Sequence, residues 1–261
     1  MSLEARNITV RLGRRAVLSN IAFSAQARAL TAIVGPNGSG KTTLLRALVG
    51  EIPATGSVRL NGEEVADAKP WALAARRGVL PQAASLAFPF SVIEVITMGL
   101  EAGRHAARRT LPQQALQQVG LSGYEDRFYQ ELSGGEQQRV QLARVLCQVW
   151  EPMLDGAPSW LFLDEPVASL DIGHQLGIMR IAADYAARGG GVVAVMHDLN
   201  LTAMFADAVC LLKDGAVQAQ GKPQEVLTNG ILTRAYDCPL RVNAAPPSDI
   251  PFLLPQAAGR I

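Results

Sequence analysis

"GPNGSGKTTLLRALVG", residues 35–50, is the stretch of sequence that decides the fold. It follows the apolar run "ALTAIV" and places a lysine and two threonines directly after a segment rich in glycine. The stretch matches the pattern G-x-x-x-x-G-K-[ST], and average residue frequencies give a chance match in a chain of this length a probability of roughly 1%. Two interpretations compete: a simple turn into a helix, or a cradle for phosphates.

Phosphate binding accounts for each residue type in this stretch. Glycines allow successive backbone N–H groups to point into one concavity, and the helix that begins there adds the positive end of its dipole. Lys41 can reach the β- and γ-phosphates of a nucleotide, and the Thr42 hydroxyl can ligate Mg²⁺. The phosphate cradle is therefore the better interpretation. Its predicted nucleotide-binding residues are Gly35, Pro36, Asn37, Gly38, Ser39, Gly40, Lys41, Thr42 and Thr43.

An acidic pair is the second candidate element. Residues 160–166, "WLFLDEP", form an apolar run that ends in Asp164 and Glu165. Taken alone, two acids at the end of a strand are about equally well explained as helix caps. Downstream of a phosphate cradle, Asp164 is predicted to help hold Mg²⁺, and Glu165 is predicted to act as the base for an attacking water or to orient it.

The order of predicted elements indicates an α/β fold. Short strand-like runs open the chain, and "TGSVRLNGEEV" predicts two strand pieces around an Asn-Gly turn. Strand-like runs return in "WLFLDEP", "GGVVAVMHD" and "DAVCLLKDG", with helical stretches between them. From about Trp71 to Trp150 the sequence is rich in Ala, Gln and Arg with helical spacing. We therefore predict a mostly parallel sheet whose strands are split by a helical insert.

Composition narrows the class of protein. The chain has 261 residues, enough for a large core, and its net charge of +1 gives no sign of a nucleic-acid partner. Cys147 and Cys210 lie in apolar runs and are predicted to be buried free thiols in a reducing compartment. No apolar run approaches the roughly 20 residues that a membrane span needs. One basic group is interpreted as a solvent-exposed helix face: Arg104, His105, Arg108 and Arg109.

Residues 132–146, "LSGGEQQRVQLARVL", contain a second backbone anion site at a helix start, although the chain already has one. Here the sequence resembles the ATP-binding subunits of ABC transporters over essentially its whole length, with "LSGGEQQR" matching their signature motif. The resemblance implies a head-to-tail homodimer in which the signature of one subunit covers ATP held by the other. The residues that it assigns to the partner subunit's ATP are Ser133, Gly134, Gly135 and Glu136.

The remaining motifs stand in the order typical of that family. Gln82, in "GVLPQ", resembles the glutamine that contacts Mg²⁺ and the γ-phosphate, so the metal residues implied are Thr42, Gln82 and Asp164. "SLD", residues 169–171, resembles the loop that signals across the dimer. A lone histidine at a strand end is more often a core residue, but the set of six motifs makes His197 resemble the histidine that contacts the γ-phosphate. The catalytic residues implied are Lys41, Glu165 and His197.

The resemblance also implies an architecture. We expect a P-loop NTPase core of the ABC ATPase type, with an antiparallel β subdomain and an inserted helical subdomain at about residues 83–150. The whole chain, 1–261, is expected to form one nucleotide-binding domain. One departure concerns adenine: the family usually has an aromatic residue near position 12, and this chain has Leu12 there. Arg14 or Arg15 is a candidate to stack on the base instead.

Several features favour the subunit of an importer. Exporters usually carry their membrane helices on the same chain, and non-transport ATPases that act on ribosomes or DNA usually carry two such domains or a long coiled coil. The segments "FPFSVIEVITMGL", "LDIGHQ" and "HDLNLTAMFADAVCLLKDG" resemble importers of metal chelates. Extra residues between Val149 and Trp160 resemble the haem-import members most closely, with ferric siderophore and cobalamin importers as the alternatives.

The resemblance finally implies partners and a location. Two transmembrane permease subunits would hold a homodimer of this chain on the cytoplasmic face of the inner membrane, as a peripheral protein, and a periplasmic haem-binding protein would act indirectly. Residues from about 83 to 104 are expected to line the groove that receives a coupling helix of the permease. The C-terminal stretch 239–255, "PLRVNAAPPSDIPFLLP", is expected to pack on the core through "PFLLP".

Overall fold

The computed structural model describes residues 1–83, 86, 88–245 and 251–257. In chain order the strands are β1 (Ser2–Leu12), β2 (Arg15–Gln26), β3 (Leu30–Val34), β4 (Thr55–Leu60), β5 (Glu63–Glu64), β6 (Arg77–Leu80), β7 (Met153–Leu154), β8 (Ala157–Pro158), β9 (Trp160–Asp164), β10 (Gly191–Val195), β11 (Ala208–Lys213) and β12 (Ala216–Gly221). The α-helices are α1 (Lys41–Leu48), α2 (Pro70–Ala74), α3 (Val92–Ala102), α4 (Leu111–Gln118), α5 (Gly134–Gln148), α6 (Ile172–Ala187), α7 (Leu199–Phe205), α8 (Pro223–Val226) and α9 (Asn229–Tyr236). Short 3₁₀ helices cover Tyr129–Glu131 and Pro255–Ala257.

The larger sheet has six strands in the order β12-β11-β3-β10-β9-β6. All of its pairings are parallel except β11 with β12. Every residue of β3, β9 and β10 is buried, because these strands are covered on both faces and their sequences are correspondingly apolar. Since parallel strands end at the same edge, the residues after Val34, Leu163 and Val195 meet there. The predicted α/β fold with a mostly parallel sheet is confirmed.

The smaller sheet is antiparallel, with its strands in the order β2-β1-β4-β5. Its β4–β5 connection is the predicted Asn-Gly turn, and both turn residues have positive φ angles, 53° at Asn61 and 90° at Gly62. The Asn61 side chain also reaches the other sheet. Its amide donates to the carbonyl of Pro158 at 2.9 Å, and its oxygen accepts from Trp160 Nε1 at 3.0 Å.

Helices α3, α4 and α5 lie between β6 and β9 in the chain and pack against one another. The prediction of helical character from Trp71 to Trp150 is wrong at β6, which pairs in parallel with β9 at the edge of the larger sheet. Four residues are too short to show a strand period, and β6 adjoins helix-like sequence on its N-terminal side. Gly78 in this strand packs closely against Val145 of α5.

The basic group after α3 is not a helix face, so that interpretation is wrong. Residues 103–110 connect α3 to α4, because Gly103 ends α3 in an extended conformation. Arg104 Nη1 lies 2.8 Å from Asp155 Oδ2, and Arg108 Nη1 lies 2.8 Å from Glu151 Oε1. Both acids belong to the extra segment before β9, in which β7 and β8 form a hairpin around Asp155 and Gly156.

The core is divided by the larger sheet into two layers. Leu161 and Leu163 of β9 face the layer that includes α3 to α6, whereas Trp160 and Phe162 face the layer shared with α1 and the smaller sheet.

Cys147 and Cys210 are buried free thiols, as predicted, and burial raises the pKa of each to about 12. Among the described residues, no helix has the length and apolar character needed to cross a bilayer.

The C-terminal segment only partly follows its prediction. Gln256 Nε2 donates to the carbonyl of Asn200 at 3.2 Å, so the chain does return to α7. The apolar side chains of "PFLLP" do not pack into the core, since Phe252, Leu253 and Leu254 are 52%, 85% and 47% exposed. A hydrogen bond from one polar side chain, rather than apolar burial, makes this contact. Residues 246–250 of the predicted segment lie outside the described residues.

Candidate nucleotide site

A cleft of about 730 Å³ opens at the carboxyl edge of the larger sheet. Loop 35–40, the start of α1 and the residues that follow β9 and β10 converge on it, as the strand order requires. The residues that line the cleft are Arg15, Val17, Asn37, Gly38, Gly40, Lys41, Thr42, Thr43, Gln82, Glu165 and His197. The sequence-predicted residues from the phosphate loop, the acid pair and the later motifs therefore meet in one place.

The phosphate loop depends on glycine at two positions. Gly35 has a φ of 149°, and a Cβ there would overlap the backbone carbonyl oxygen of Leu212. Gly40 has a φ of 101°, and its Cβ would lie 2.7 Å from a methyl carbon of Leu18 in β2. The loop is thus pressed against two strands, and L-residues with side chains would be strained at both positions. Helix α1 begins directly afterwards at Lys41.

Lys41 is held inside the phosphate loop. Its Nζ donates to the carbonyls of Gly35 at 2.9 Å and Pro36 at 3.1 Å, so these two residues position the lysine rather than line the cleft. Burial lowers the pKa of Lys41, while the carboxylates of Glu165 and Asp164 act in the opposite direction. The ammonium group is preorganised at the floor of a site suited to anions.

Thr42 and Asp164 form a pair of oxygen donors at the start of α1. The Thr42 hydroxyl donates to Asp164 Oδ1 at 3.0 Å. Burial is the main cause that raises the pKa of Asp164, and the Thr42 hydrogen bond opposes it. A buried carboxylate beside a hydroxyl is the hard-oxygen chemistry that Mg²⁺ selects, with waters and substrate phosphates completing its octahedron. The residues present therefore fit Mg²⁺ bound together with a nucleotide. Within the described residues, no group of three or more His, Cys, Asp or Glu side chains could hold a metal without such help.

Glu165 makes five hydrogen-bonding contacts within the described residues. Its side chain accepts from Gln82 Nε2 at 2.9 Å and lies 2.5 Å from His197 Nε2. Its backbone N–H donates to the carbonyl of Val195 at 3.2 Å, and its own carbonyl accepts from the Ala168 N–H at 3.2 Å. Its φ of 52° lies in the left-handed region, which is uncommon for a residue with a side chain. Glu165, Gln82 and His197 thus form one connected group on the wall of the cleft.

The fifth contact comes from a residue that the sequence alone did not single out. Gln138 Nε2 donates to the backbone carbonyl of Glu165 at 2.8 Å. Gln138 lies on α5, one turn beyond the "SGG" of the signature stretch, so this bond joins the signature helix to the acid pair. Its position within "LSGGEQQR" is the sequence signal that could have drawn attention to it.

The signature residues lie outside the cleft of their own chain. Ser133 caps α5: its hydroxyl accepts from the Glu136 N–H at 3.4 Å, and the Glu136 carboxylate accepts from the Ser133 N–H at 2.8 Å. Ser133 and Gly134 are exposed, and a Cβ on Gly135 would lie 2.8 Å from the Leu170 side chain. The N-terminus of α5 is therefore rigid and accessible, next to the "SLD" loop.

The residue at the position where the family usually has an aromatic side chain against adenine does not line the cleft. Leu12 is 57% exposed and does not line the cleft, whereas Arg15 and Val17 of β2 do. A β-strand turns alternate side chains to opposite faces, so Arg15 and Val17 share a face. Of the two arginines considered from the sequence, Arg15 is the one that borders the cleft.

Fold and site together define an ATP-binding cassette. The family model described as ABC transporter matches residues 18–168, from β2 through the acid pair. The chain belongs to the ABC transporter family, as an ATP-binding subunit.

Relatives match the chain over nearly its full length. It is similar to the hemin import ATP-binding protein HmuV of Jannaschia sp. (strain CCS1), at 63% identity covering 99% of this chain and 96% of the relative. It is also similar to the protein of that name in Roseobacter denitrificans, at 59% identity with both chains fully covered. A further relative with that name, in Rhizobium meliloti, is 55% identical over 98% of this chain and 99% of its own.

Solved structures share the fold. An ATP-binding subunit of an ABC transporter superposes with a TM-score of 0.76 at 21% identity, covering 92% of this chain and 95% of the other. The dimeric structure of an ATP-binding cassette bound to ADP and phosphate superposes with a TM-score of 0.72 at 26% identity, covering 85% and 98%.

Proposed function

We propose that this chain is the ATP-hydrolysing subunit of an importer that takes up haem through a separate permease. The observation that carries the ATPase part is the convergence of Lys41, Thr42, Glu165 and His197 on one cleft at the carboxyl edge of a parallel sheet. The cargo rests on the hemin import relatives, which are 53–63% identical over nearly the whole chain. We further propose that residues 1–261 form one nucleotide-binding domain.

In this proposal the phosphate loop binds the triphosphate. Backbone N–H groups of residues 37, 38 and 40–43 and the α1 dipole would face the β- and γ-phosphates, whereas the Ser39 N–H donates to the carbonyl of Pro36 at 3.2 Å. Lys41 supplies a positive charge near the developing negative charge of the transferred phosphoryl group. Mg²⁺, bound with ATP, would be held by Thr42, Asp164 and Gln82, and it supplies charge neutralisation at the phosphate oxygens.

Glu165 is proposed to act on the attacking water. A carboxylate oxygen of Glu165 accepts a hydrogen bond from the water and takes a proton as the water oxygen bonds to the γ-phosphorus and the bond to the ADP oxygen breaks. Gln82 and His197, which contact the two carboxylate oxygens, orient Glu165. His197 is 44% exposed in its side chain and lies at the cleft wall, so it can also contact the γ-phosphate.

A second copy of the chain is proposed to complete the site. Ser133, Gly134, Gly135 and Glu136 lie outside the cleft of their own chain, and their helix start is accessible. In a head-to-tail homodimer the same residues would cap the ATP bound by the partner, giving two composite sites. The solved cassette bound to ADP and phosphate is described as dimeric and is 26% identical to this chain, which supports a dimer by similarity.

The assembly is proposed to sit on the cytoplasmic face of the inner membrane. Two transmembrane permease subunits would hold the homodimer there, and a periplasmic haem-binding protein would deliver cargo without touching this chain. The groove for a coupling helix is proposed at about residues 83–104, of which 84, 85 and 87 lie outside the described residues. No nucleic-acid partner is proposed.

Reconstitution tests the cargo and the coupling together. The subunit and its permease are placed in liposomes, and ATP turnover is measured with binding proteins loaded with haem, ferric siderophore or cobalamin. We expect stimulation by the haem-loaded protein. Stimulation by a siderophore- or cobalamin-loaded protein alone would overturn the cargo and leave the importer ATPase standing. ATP hydrolysis coupled to ribosomes or DNA instead would overturn both.

A further inference from the structure

The turn that joins β11 to β12 lies against the phosphate loop. Asp214 and Gly215 form this two-residue turn, and both have positive φ angles, 51° and 73°. An Asp-Gly pair in that conformation is typical of a tight β-hairpin. A Cβ on Gly215 would overlap the carbonyl oxygen of Val17 in β2, so this position needs glycine. The turn is therefore a packed part of the protein rather than a free surface loop.

The hairpin contacts the phosphate loop at both of its ends. The Gly215 N–H donates to the carbonyl of Ser39 at 3.1 Å, and the Gly215 carbonyl accepts from the Ser19 N–H of β2 at 3.0 Å. At the start of the loop, Gly35 packs so closely against the carbonyl oxygen of Leu212 that no Cβ would fit between them. Residues 212 and 215 of the hairpin thus brace the phosphate loop.

The bond to Ser39 sets the direction of a peptide group at the nucleotide cleft. A trans peptide is planar, so its carbonyl and its N–H point in opposite directions. The Ser39 carbonyl points to the hairpin, and the N–H of the same peptide group belongs to Gly40, which lines the cleft. Gly40 directly precedes Lys41 at the start of α1. The turn therefore helps to direct the Gly40 N–H to the place where phosphates are proposed to bind.

The turn is itself anchored to the end of α9. Lys213, the last residue of β11, donates from Nζ to the Arg234 carbonyl at 2.7 Å and to the two Asp237 carboxylate oxygens at 2.7 and 2.8 Å. These three acceptors match the three donors of an ammonium group. The Arg234 carbonyl belongs to the last turn of α9, where carbonyls lack an intrahelical partner. One side chain thus caps α9 and fixes the residue that precedes turn 214–215.

The same helix end also reaches the phosphate loop directly. Tyr236 is the last residue of α9, and its ring packs against the core. Burial is the main cause that raises the pKa of Tyr236, and a hydrogen bond with the Gly35 backbone opposes this effect. The end of α9 therefore supports the phosphate loop through two routes, the hairpin turn and Tyr236.

We propose that Lys213, anchored to α9, is a positioning residue for nucleotide binding, because it holds the hairpin turn that shapes the phosphate loop. This inference rests on the proposed function, in which the loop binds the triphosphate of ATP. Lys213 lies outside the set of described residues that line the cleft, so its effect passes through Gly215 and Ser39. Without the anchor the loop is less ordered before ATP binds, and part of the binding free energy goes into ordering it.

The test compares ATP binding and hydrolysis by the wild type and Lys213→Met. Methionine keeps an aliphatic side chain of similar length and removes the three donors. We expect the affinity for a fluorescent ATP analogue to fall about three- to tenfold, as for loss of one hydrogen-bonded anchor. In the assembled transporter the KM for ATP should rise by a similar factor, with kcat within about twofold, because Glu165 keeps its contacts. Lys213→Arg keeps charged donors and should stay within about twofold of the wild type in both measurements.

Asp237→Asn tests whether Lys213 acts through α9. Asparagine tolerates the left-handed conformation of this residue, whose φ is 53°, so the change removes the charge and preserves the backbone. It should weaken ATP binding in the same direction as Lys213→Met. The double variant should bind ATP no more weakly than Lys213→Met alone, because both changes break one contact. Additive losses in the double variant would overturn the proposed anchor.

Two controls separate positioning from a general loss of stability, with melting temperatures measured without nucleotide. Arg108→Met breaks a surface ion pair with Glu151, at 2.8 Å, and should leave ATP affinity unchanged. Tyr185→Phe removes the hydrogen bond from the buried Tyr185 hydroxyl to the Val149 carbonyl at 2.9 Å. It should lower the melting temperature and leave ATP affinity within about twofold.

The contrary results point to different errors. Wild-type ATP affinity in Lys213→Met overturns this inference and leaves the proposed function intact. A fall in kcat with unchanged KM also overturns it, because the anchor would then act on hydrolysis. Equal losses of affinity in Lys213→Met and Tyr185→Phe would show that any loss of stability weakens binding, which overturns a specific role for Lys213. A wild-type chain that binds no ATP overturns the proposed function together with this inference.

Discussion

Glu165 has a backbone conformation that is unfavourable for a residue with a Cβ, and both oxygens of its carboxylate have a hydrogen-bonding partner. A left-handed φ for a residue with a Cβ costs on the order of 1–3 kcal/mol, and such residues persist where their surroundings hold them in place. Here Gln82 and His197 contact the carboxylate, Val195 accepts from the backbone N–H, and Gln138 donates to the carbonyl. The carboxylate is therefore aimed by its neighbours rather than by its own backbone preference.

Arg15 is expected to contribute to nucleotide affinity. Arg15→Ala should weaken ATP binding by up to about tenfold, because a guanidinium stacked on a base contributes on the order of 1 kcal/mol. Arg14→Ala is the matched control: Arg14 is exposed and does not line the cleft within the described residues. The measurement is titration of each variant with a fluorescent ATP analogue. Equal affinities for the two variants would place adenine away from Arg15.

The sequence predicted those site residues whose chemical role follows from their immediate neighbours in the chain. Lys41 and Thr42 stand at fixed positions in a short pattern, and Asp164 and Glu165 end an apolar strand, so their convergence follows from the order of strands in a parallel sheet. Gln138 reaches the site from an element distant in the chain, and the sequence left open which of Arg14 and Arg15 borders the cleft. Nothing in a local pattern specifies such contacts, because they depend on how the elements pack.

Helix α5 links the two ends of the proposed composite site. Its N-terminus is fixed by the reciprocal bonds between Ser133 and Glu136, and its first turns carry Gln138 to the Glu165 carbonyl. Movement of the signature stretch would therefore be transmitted directly to the acid pair. This contact gives α5 a role within its own subunit besides the one proposed across the dimer.

Gln138→Ala should lower kcat for ATP hydrolysis by roughly tenfold and leave KM within about twofold, because a hydrogen bond that orients the Glu165 peptide acts on the reaction more than on binding. The matched control is Gln114→Ala, at an exposed position of α4. Steady-state kinetics of both variants in the assembled transporter provide the comparison. A rise in KM with unchanged kcat in Gln138→Ala would mean that the contact serves nucleotide binding instead.

Short elements were harder to predict than long ones. Strand β6 has four residues and β5 has two, too few to show an alternating pattern. The basic segment 103–110 has helix-like composition, yet Arg104 and Arg108 pair with Asp155 and Glu151 of the extra segment before β9, 51 and 43 residues later in the chain. Long-range pairing overrides local preference in both cases.

At the scale of the whole molecule, Asn61 joins the smaller sheet to the strand that carries the acid pair. Asn61→Ala should lower the free energy of unfolding by about 2–4 kcal/mol, since Trp160 Nε1 and the Pro158 carbonyl both lose their partner. Asn20→Ala controls for the backbone, because Asn20 has a nearly equal φ of 52° and is exposed. That control should cost about 1 kcal/mol or less. Urea unfolding gives both values, and equal losses would show that the Asn61 side chain does not couple the sheets.

The central claim is that Glu165 drives hydrolysis of ATP enclosed by two copies of this chain. Glu165→Gln keeps the shape of the side chain and removes its ability to take a proton from water. The direct test is light scattering on Glu165→Gln with ATP and Mg²⁺, together with its turnover rate. The account predicts a stable dimer that retains ATP and hydrolyses it at least about 100-fold more slowly than the wild type. Adding Ser133→Arg at the exposed signature should return it to a monomer. Near-normal turnover by Glu165→Gln would contradict the account, and so would a dimer that persists when Ser133→Arg is added.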